Sequence, residues 1–123
     1  MRLAPLARGV VLAFVAWLIG AGVALAHSEL RQAEPAPNSK HQSAPSEVKL
    51  TFTERLEPAY STLRVNNAEG VEVDRHDAHV DPSDHLLLRA SLGPLGPGAY
   101  TVNWRALSLD PHMSEGHFSF QVE

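Results

Sequence analysis

Apolar and polar side chains alternate along most of this chain after position 47. Val48, Leu50 and Phe52 are interleaved with Lys49, Thr51 and Thr53, the period of two expected of a strand buried on one face. Leu63 and Val65 predict a second strand beyond Pro58, and Asn66-Asn67-Ala68-Glu69-Gly70 supplies turn chemistry after it. Val71 and Val73 alternate with charged residues and predict a third strand, in a hairpin with the second. Residues 74–85 form a polar stretch, Asp-Arg-His-Asp-Ala-His-Val-Asp-Pro-Ser-Asp-His, with room for a short strand around Val80. Leu86-Leu87-Leu88 opens the next strand, and Gly93-Pro94-Leu95-Gly96-Pro97-Gly98 is a turn that no helix can cross. Tyr100, Val102 and Trp104 then alternate with Thr101, Asn103 and Arg105; residues 108–116 read as a connecting loop; Phe118, Phe120 and Val122 alternate to the end. Ahead of this region, residues 28–47 are polar and carry Pro35, Pro37 and Pro45, which suits an extended lead-in around Glu29–Glu34 and then a loop. No stretch after position 26 has helical periodicity. Six or seven short strands divided by Gly/Pro turns predict an all-β sandwich, with a small closed barrel as the alternative.

The first 26 residues follow another rule. Arg2 and Arg8 precede an apolar run from Val10 to Leu25, and Ala24-Leu25-Ala26 places small residues at −3 and −1 of a cut before His27. A basic start, an apolar middle and an A-x-A end predict a cleaved secretory signal peptide over 1–26, leaving one domain over 27–123. A membrane anchor is the competing reading, but the run is about 16 residues where about 20 are needed to span a bilayer.

Cleavage alters the charge. Residues 27–123 keep eight Lys/Arg against fourteen Asp/Glu, a formal −6, and hold all seven histidines of the chain. An acidic domain without a basic stripe is a poor partner for nucleic acid and a good one for cations. The chain has no cysteine. Its stability must come from a core rather than from disulfides, and a metal site must use His, Asp, Glu, Met or a terminal amine.

Two features carry candidate chemistry. His27 becomes the first residue after cleavage, so its α-amine and imidazole can chelate one ion; an α-amine with a pKa near ~8 gives up its proton to a metal at neutral pH. Asp110-Pro111-His112 is the second. In an extended segment residues i and i+2 face the same side, and the proline disfavours helical geometry at Asp110. Taken alone, D-x-H is a weak motif that reads as a solvated Asp-Pro turn with an exposed His.

The surrounding string is more specific. Trp104-Arg105-Ala106-Leu107-Ser108-x-Asp110-x-His112 follows Pro94-Leu95-x2-Gly98-x-Tyr100, and both follow Leu50-Thr51-Phe52-Thr53-Glu54 with Glu57-Pro58. With His27 at the mature start, these residues resemble the CopC-like copper-resistance proteins of the bacterial periplasm, over essentially all of 27–123. The resemblance implies an immunoglobulin-like Greek-key β-sandwich of about seven strands. It implies a non-enzymatic copper(II) carrier or buffer, with delivery toward a CopD-type membrane transporter. Its site residues fall on His27, Asp110 and His112, three nitrogens and one carboxylate oxygen, a set suited to copper(II). Glu54 matches a glutamate that partners the terminal amine without binding the metal.

Other residues stay outside this site. Some relatives of this type carry a methionine-rich copper(I) site, but here the methionines are Met1 and Met113 alone, and Met113 reads as loop packing. His76, His79 and His85 with Asp74, Asp77, Asp81 and Asp84 read as a solvated loop, with a weak second divalent-metal site as the alternative. His41 and His117 are not expected to be ligands, and Tyr100, Trp104, Phe118 and Phe120 read as core. Two other functions compete. An N-terminal His chelate also occurs in copper monooxygenases acting on polysaccharides, although a carboxylate in the metal plane would fill the position that oxygen needs. A metal-free sandwich used for protein contacts is the other.

Overall fold

A computed structural model describes residues 29–123. The predicted leader and His27 lie outside the described residues. Eight strands form two sheets: β1 (Leu30–Glu34), β2 (Lys40–His41), β3 (Glu47–Phe52), β4 (Thr62–Asn67), β5 (His79–Asp81), β6 (Asp84–Ser91), β7 (Gly98–Leu107) and β8 (Met113–Val122). One 3₁₀ turn, Pro58–Tyr60, precedes β4. The first sheet runs β1-β3-β6-β5 and the second β2-β8-β7-β4. This is the expected all-β sandwich, not a closed barrel.

The alternation in the sequence becomes the division between core and surface. Val48, Leu50 and Phe52 of β3 and Leu88 of β6 are completely buried, and they face Leu63, Val65, Val102, Ala106 and Phe120 of the opposing sheet. Phe52 meets Trp104 edge-on across the core, with ring centroids 5.1 Å apart at 74°. Tyr100 stacks on Phe120 and donates its hydroxyl proton to the Gly96 carbonyl at 2.7 Å, pinning the 93–98 turn to the sheet. These aromatics are core elements, as the strand spacing predicts.

Three elements differ from the pattern. β8 begins at Met113, so the connecting loop is shorter than 108–116. Its first core-facing positions are Ser114 and Gly116, which carry no apolar signal. Gly116 is needed there because the Trp104 indole lies across it: a Cβ on Gly116 would sit 2.5 Å from Trp104 Cζ2. β2 was not visible in the pattern; two residues pair parallel to the end of β8.

Third, Val71 and Val73 do not make a regular strand. Val73 N–H donates to Val65 O at 2.8 Å, but the pairing is confined to single bridges, Asn66 with Glu72 and Asp74 with Leu92. The segment leaves β4 and crosses to the end of β6, where Arg75 N–H donates to Ser91 O at 2.9 Å. Asp74, 5% exposed, supplies a side-chain oxygen where a strand would supply a carbonyl: Oδ1 accepts the Val65 N–H at 2.9 Å. Asn67 N–H donates to Val71 O at 2.8 Å, and Gly70 N–H returns to Asn67 O at 3.0 Å, with Gly70 at φ +81°. The outward backbone groups of Val65 and Asn67 are thus occupied by residues 70–74.

Candidate metal site

The β7–β8 connection is built on Ser108, which is 1% exposed and bridged to Leu56. Its N–H donates to His112 O at 3.0 Å, and its hydroxyl oxygen accepts the His112 N–H at 3.3 Å. The hydroxyl proton goes to Asp110 Oδ1. Asp110 Oδ2 then lies 3.3 Å from His112 Nδ1, with both side chains about half exposed. The structure therefore brings Asp110 and His112 together on the solvent side of a buried hinge. Ser108 first, and then His112, hold the Asp110 carboxyl below its ordinary pKa, so it is a carboxylate at neutral pH.

Neighbouring backbone fixes the loop. Leu109 N–H donates to Arg55 O at 3.0 Å and Glu57 N–H to Leu107 O at 2.8 Å. Leu56, completely buried between them, donates its N–H to His85 O at 2.9 Å. Residues 55–57 therefore tie the end of β7 to the start of β6. Just before them, Thr53 and Glu29 exchange two bonds, Thr53 N–H to Glu29 O at 2.9 Å and Glu29 N–H to Thr53 Oγ1 at 3.0 Å. The chain thus enters β1 at the end of the sandwich that carries Asp110 and His112. Glu54 is exposed beside Thr53 at this same end.

The pair suits a metal ion by spacing. With metal–ligand bonds of about 2.0 Å, atoms at a right angle sit about 2.8 Å apart and atoms at a tetrahedral angle about 3.3 Å. Oδ2 and Nδ1 are separated by 3.3 Å, so a small closure brings them to a square arrangement.

The other histidines do not converge on this point as a group. His76 Nδ1 pairs with Glu72 Oε2 at 3.0 Å, His79 Nδ1 bonds the Asp77 carbonyl at 2.7 Å, and His85 Nδ1 accepts from Arg55 Nη2 at 3.3 Å. His41 Nε2 meets the Ser39 hydroxyl at 2.7 Å, and His117 is exposed on the outer face of β8. Met113 is 42% exposed and opens β8, so it is not loop packing.

Glu72, Asp74 and His76 do gather ligand-type atoms within 4.8 Å. Sequence reasoning missed Glu72, although positions i, i+2 and i+4 of an extended segment share a side. Asp74 is already engaged: Oδ1 holds Val65 N–H and Oδ2 accepts His76 N–H at 3.2 Å. Ser108 was also missed as a functional residue; its place in the S-x-D-x-H string was the available signal.

Comparison with known proteins locates the chain. A sequence model of the CopC domain matches residues 30–123. Protein YobA of Escherichia coli K12 is 31% identical over 99 residues, 80% of each chain. Copper resistance protein C of Xanthomonas campestris pv. juglandis is 33% identical over 115 residues, 89% of this chain and 90% of that one. Copper transport protein CutJ of Bacillus subtilis is 29% identical over 98 residues, 79% of this chain but 18% of that protein. The crystal structure of CopC from Methylosinus trichosporium OB3b superposes with a TM-score of 0.70 at 31% identity, covering 79% of this chain and 94% of that one.

Proposed function

The chain belongs to the CopC domain family, and from that premise we propose that it is a periplasmic copper(II)-binding protein, a carrier or buffer in copper resistance. Residues 1–26 act as a signal peptide, and 27–123 form the working domain. Copper(II) is the cargo, held by the amine and imidazole of His27, by Asp110 and by His112. Glu54 orients the terminal amine. The function is binding, not turnover.

The observation that carries this reading is the Asp110–His112 pair, 3.3 Å apart at the end of the sandwich where Glu29 enters. His27 is two residues upstream of Glu29, and two residues reach at most about 7 Å. The donor set supports copper: nitrogen and carboxylate ligands in a tetragonal arrangement suit copper(II), which also outranks zinc in affinity. Relatives named for copper resistance and copper transport agree with it. We further propose handover to a CopD-type membrane transporter; a relative named for copper transport, CutJ, has a segment like this domain within a much longer chain.

The test titrates protein beginning at His27 with copper(II), followed by EPR. One tight equivalent with a nitrogen-rich tetragonal signal is expected. A short extension ahead of His27, or His112→Ala, should weaken binding at least tenfold; tight binding that survives both changes sinks the site.

A further inference from the structure

We propose that Ser108 is the positioning residue of this site, fixing Asp110 as a one-oxygen ligand and setting the distance between Asp110 and His112. The inference rests on the copper(II) reading and deepens it.

Ser108 is hydrogen-bonded to both ends of Asp110-Pro111-His112. Its hydroxyl proton goes to Asp110 Oδ1, its hydroxyl oxygen receives His112 N–H at 3.3 Å, and its own N–H holds His112 O at 3.0 Å. It can do this because it is held in the core. It is 1% exposed, bridged to Leu56, and follows Leu107, whose N–H is bound by the Ser61 hydroxyl at 3.1 Å. The two metal-binding side chains are exposed, while the residue that sets their spacing is part of the core.

The consequence for coordination is specific. A serine hydroxyl has one proton to donate, and of its two acceptors, Asp110 Oδ1 and the His112 carbonyl oxygen at 3.1 Å, the carboxylate oxygen is the nearer and the charged one. Oδ2 is left for a metal, and it is Oδ2 that faces His112 Nδ1 at 3.3 Å. Without the hydroxyl, the carboxylate is free to rotate and to present both oxygens, and His112 loses the anchor for its N–H. A side chain ordered before the ion arrives also lowers the entropic cost of binding. Removal of such orienting partners lowers metal affinity by roughly 10–100-fold.

The test compares copper(II) affinity and EPR spectra of Ser108→Ala, Ser108→Thr, Asp110→Asn and the Ser108→Ala/Asp110→Asn pair. Ser108→Ala should weaken binding roughly 10–100-fold and alter the copper hyperfine pattern, with Ser108→Thr restoring both. In the Asp110→Asn background, Ser108→Ala should cost less than it does in the wild type, because the part of its effect that passes through Asp110 is already gone and the loss of the His112 N–H bond is what is left. Equal losses in the two backgrounds, or unchanged binding by Ser108→Ala, overturn the inference. If Ser108→Ala does not fold, the wild type decides: the copper-loaded minus copper-free infrared spectrum should show a carboxylate bound through one oxygen, and binding through two overturns it. If Asp110→Asn and His112→Ala leave affinity untouched, the copper(II) site itself fails; if they weaken binding and Ser108→Ala does not, only the role of Ser108 fails.

Discussion

Replacing Gly116 with alanine tests how the core is packed next to the site. The new Cβ would lie 2.5 Å from Cζ2, 2.7 Å from Cε2 and 3.0 Å from Nε1 of Trp104. Ordinary carbon contacts need about 3.5 Å, so the rigid indole must retreat by about 1 Å. Behind it stands Phe52, completely buried and in edge contact at 5.1 Å. Overpacking of this kind costs about 1–3 kcal/mol, and loss of the aromatic contact adds about 0.5–1.5 kcal/mol. Against this, Gly→Ala stiffens the unfolded chain and gains about 0.4–1 kcal/mol. The steric cost wins, leaving a net loss of about 0.5–4 kcal/mol. For a domain of this size each kcal/mol lowers Tm by about 4–8 °C. In protein spanning 27–123, Trp104 is the single tryptophan, so its emission reports the displacement while calorimetry and urea titration report stability. Trp104→Phe should relieve the clash, making the double variant more stable than the two losses summed. A Gly116→Ala protein as stable as wild type, with unchanged tryptophan emission, would refute the packing argument.

Asp74→Ala should cost about 1–3 kcal/mol in urea unfolding, because the buried Val65 N–H loses its acceptor. Tyr100→Phe should cost about 0.5–1.5 kcal/mol by removing the bond to Gly96 O; no change in its urea midpoint would remove that bond from the account of the turn. In the folded chain Asp77 is held below the ordinary carboxylate value of 3.8 by Ser91, and Asp81 by the Ser83 N–H and Arg89. With folded pKa values depressed, their stabilisation is complete above that value and is lost as pH falls below it. Asp77→Asn and Asp81→Asn should therefore be less stable than wild type at neutral pH, with the gap closing below about pH 4 when acid unfolding is followed by circular dichroism.

Much of the fold was legible because Val48, Leu50, Phe52, Tyr100 and Val102 sit on strands with one buried face, where period two is a physical necessity. It was hidden where the inward residue is not apolar. Ser114 and Gly116 concealed the start of β8, since the space there is filled by Trp104 from the neighbouring strand. Val71 and Val73 carried the right alternation, yet Asp74 diverts the segment to the other sheet, and a carboxylate substituting for a strand carbonyl leaves no periodic trace. At the site, Asp110 and His112 were readable from the D-x-H string and they do meet, but through a bend over 109–111 that Ser108 closes onto His112 and not through the extended segment the spacing suggested. Ser108 was not, because a serine reads as polar and exposed until the bridge to Leu56 is seen to bury it.

The crossing at residues 70–74 also bears on how these molecules behave in a crowd. β4 borders its sheet, and a bordering strand is a template on which a strand of another molecule can grow. Val65 and Asn67 have no such offer to make, since the Asp74 side chain and the backbone of Gly70, Val71 and Val73 already occupy their outward groups. Over Val65 and Asn67, self-association through this border is blocked from within the same chain. Loss of Asp74 would therefore reopen it at Val65, and at high protein concentration clumping would accompany the lower stability of that variant.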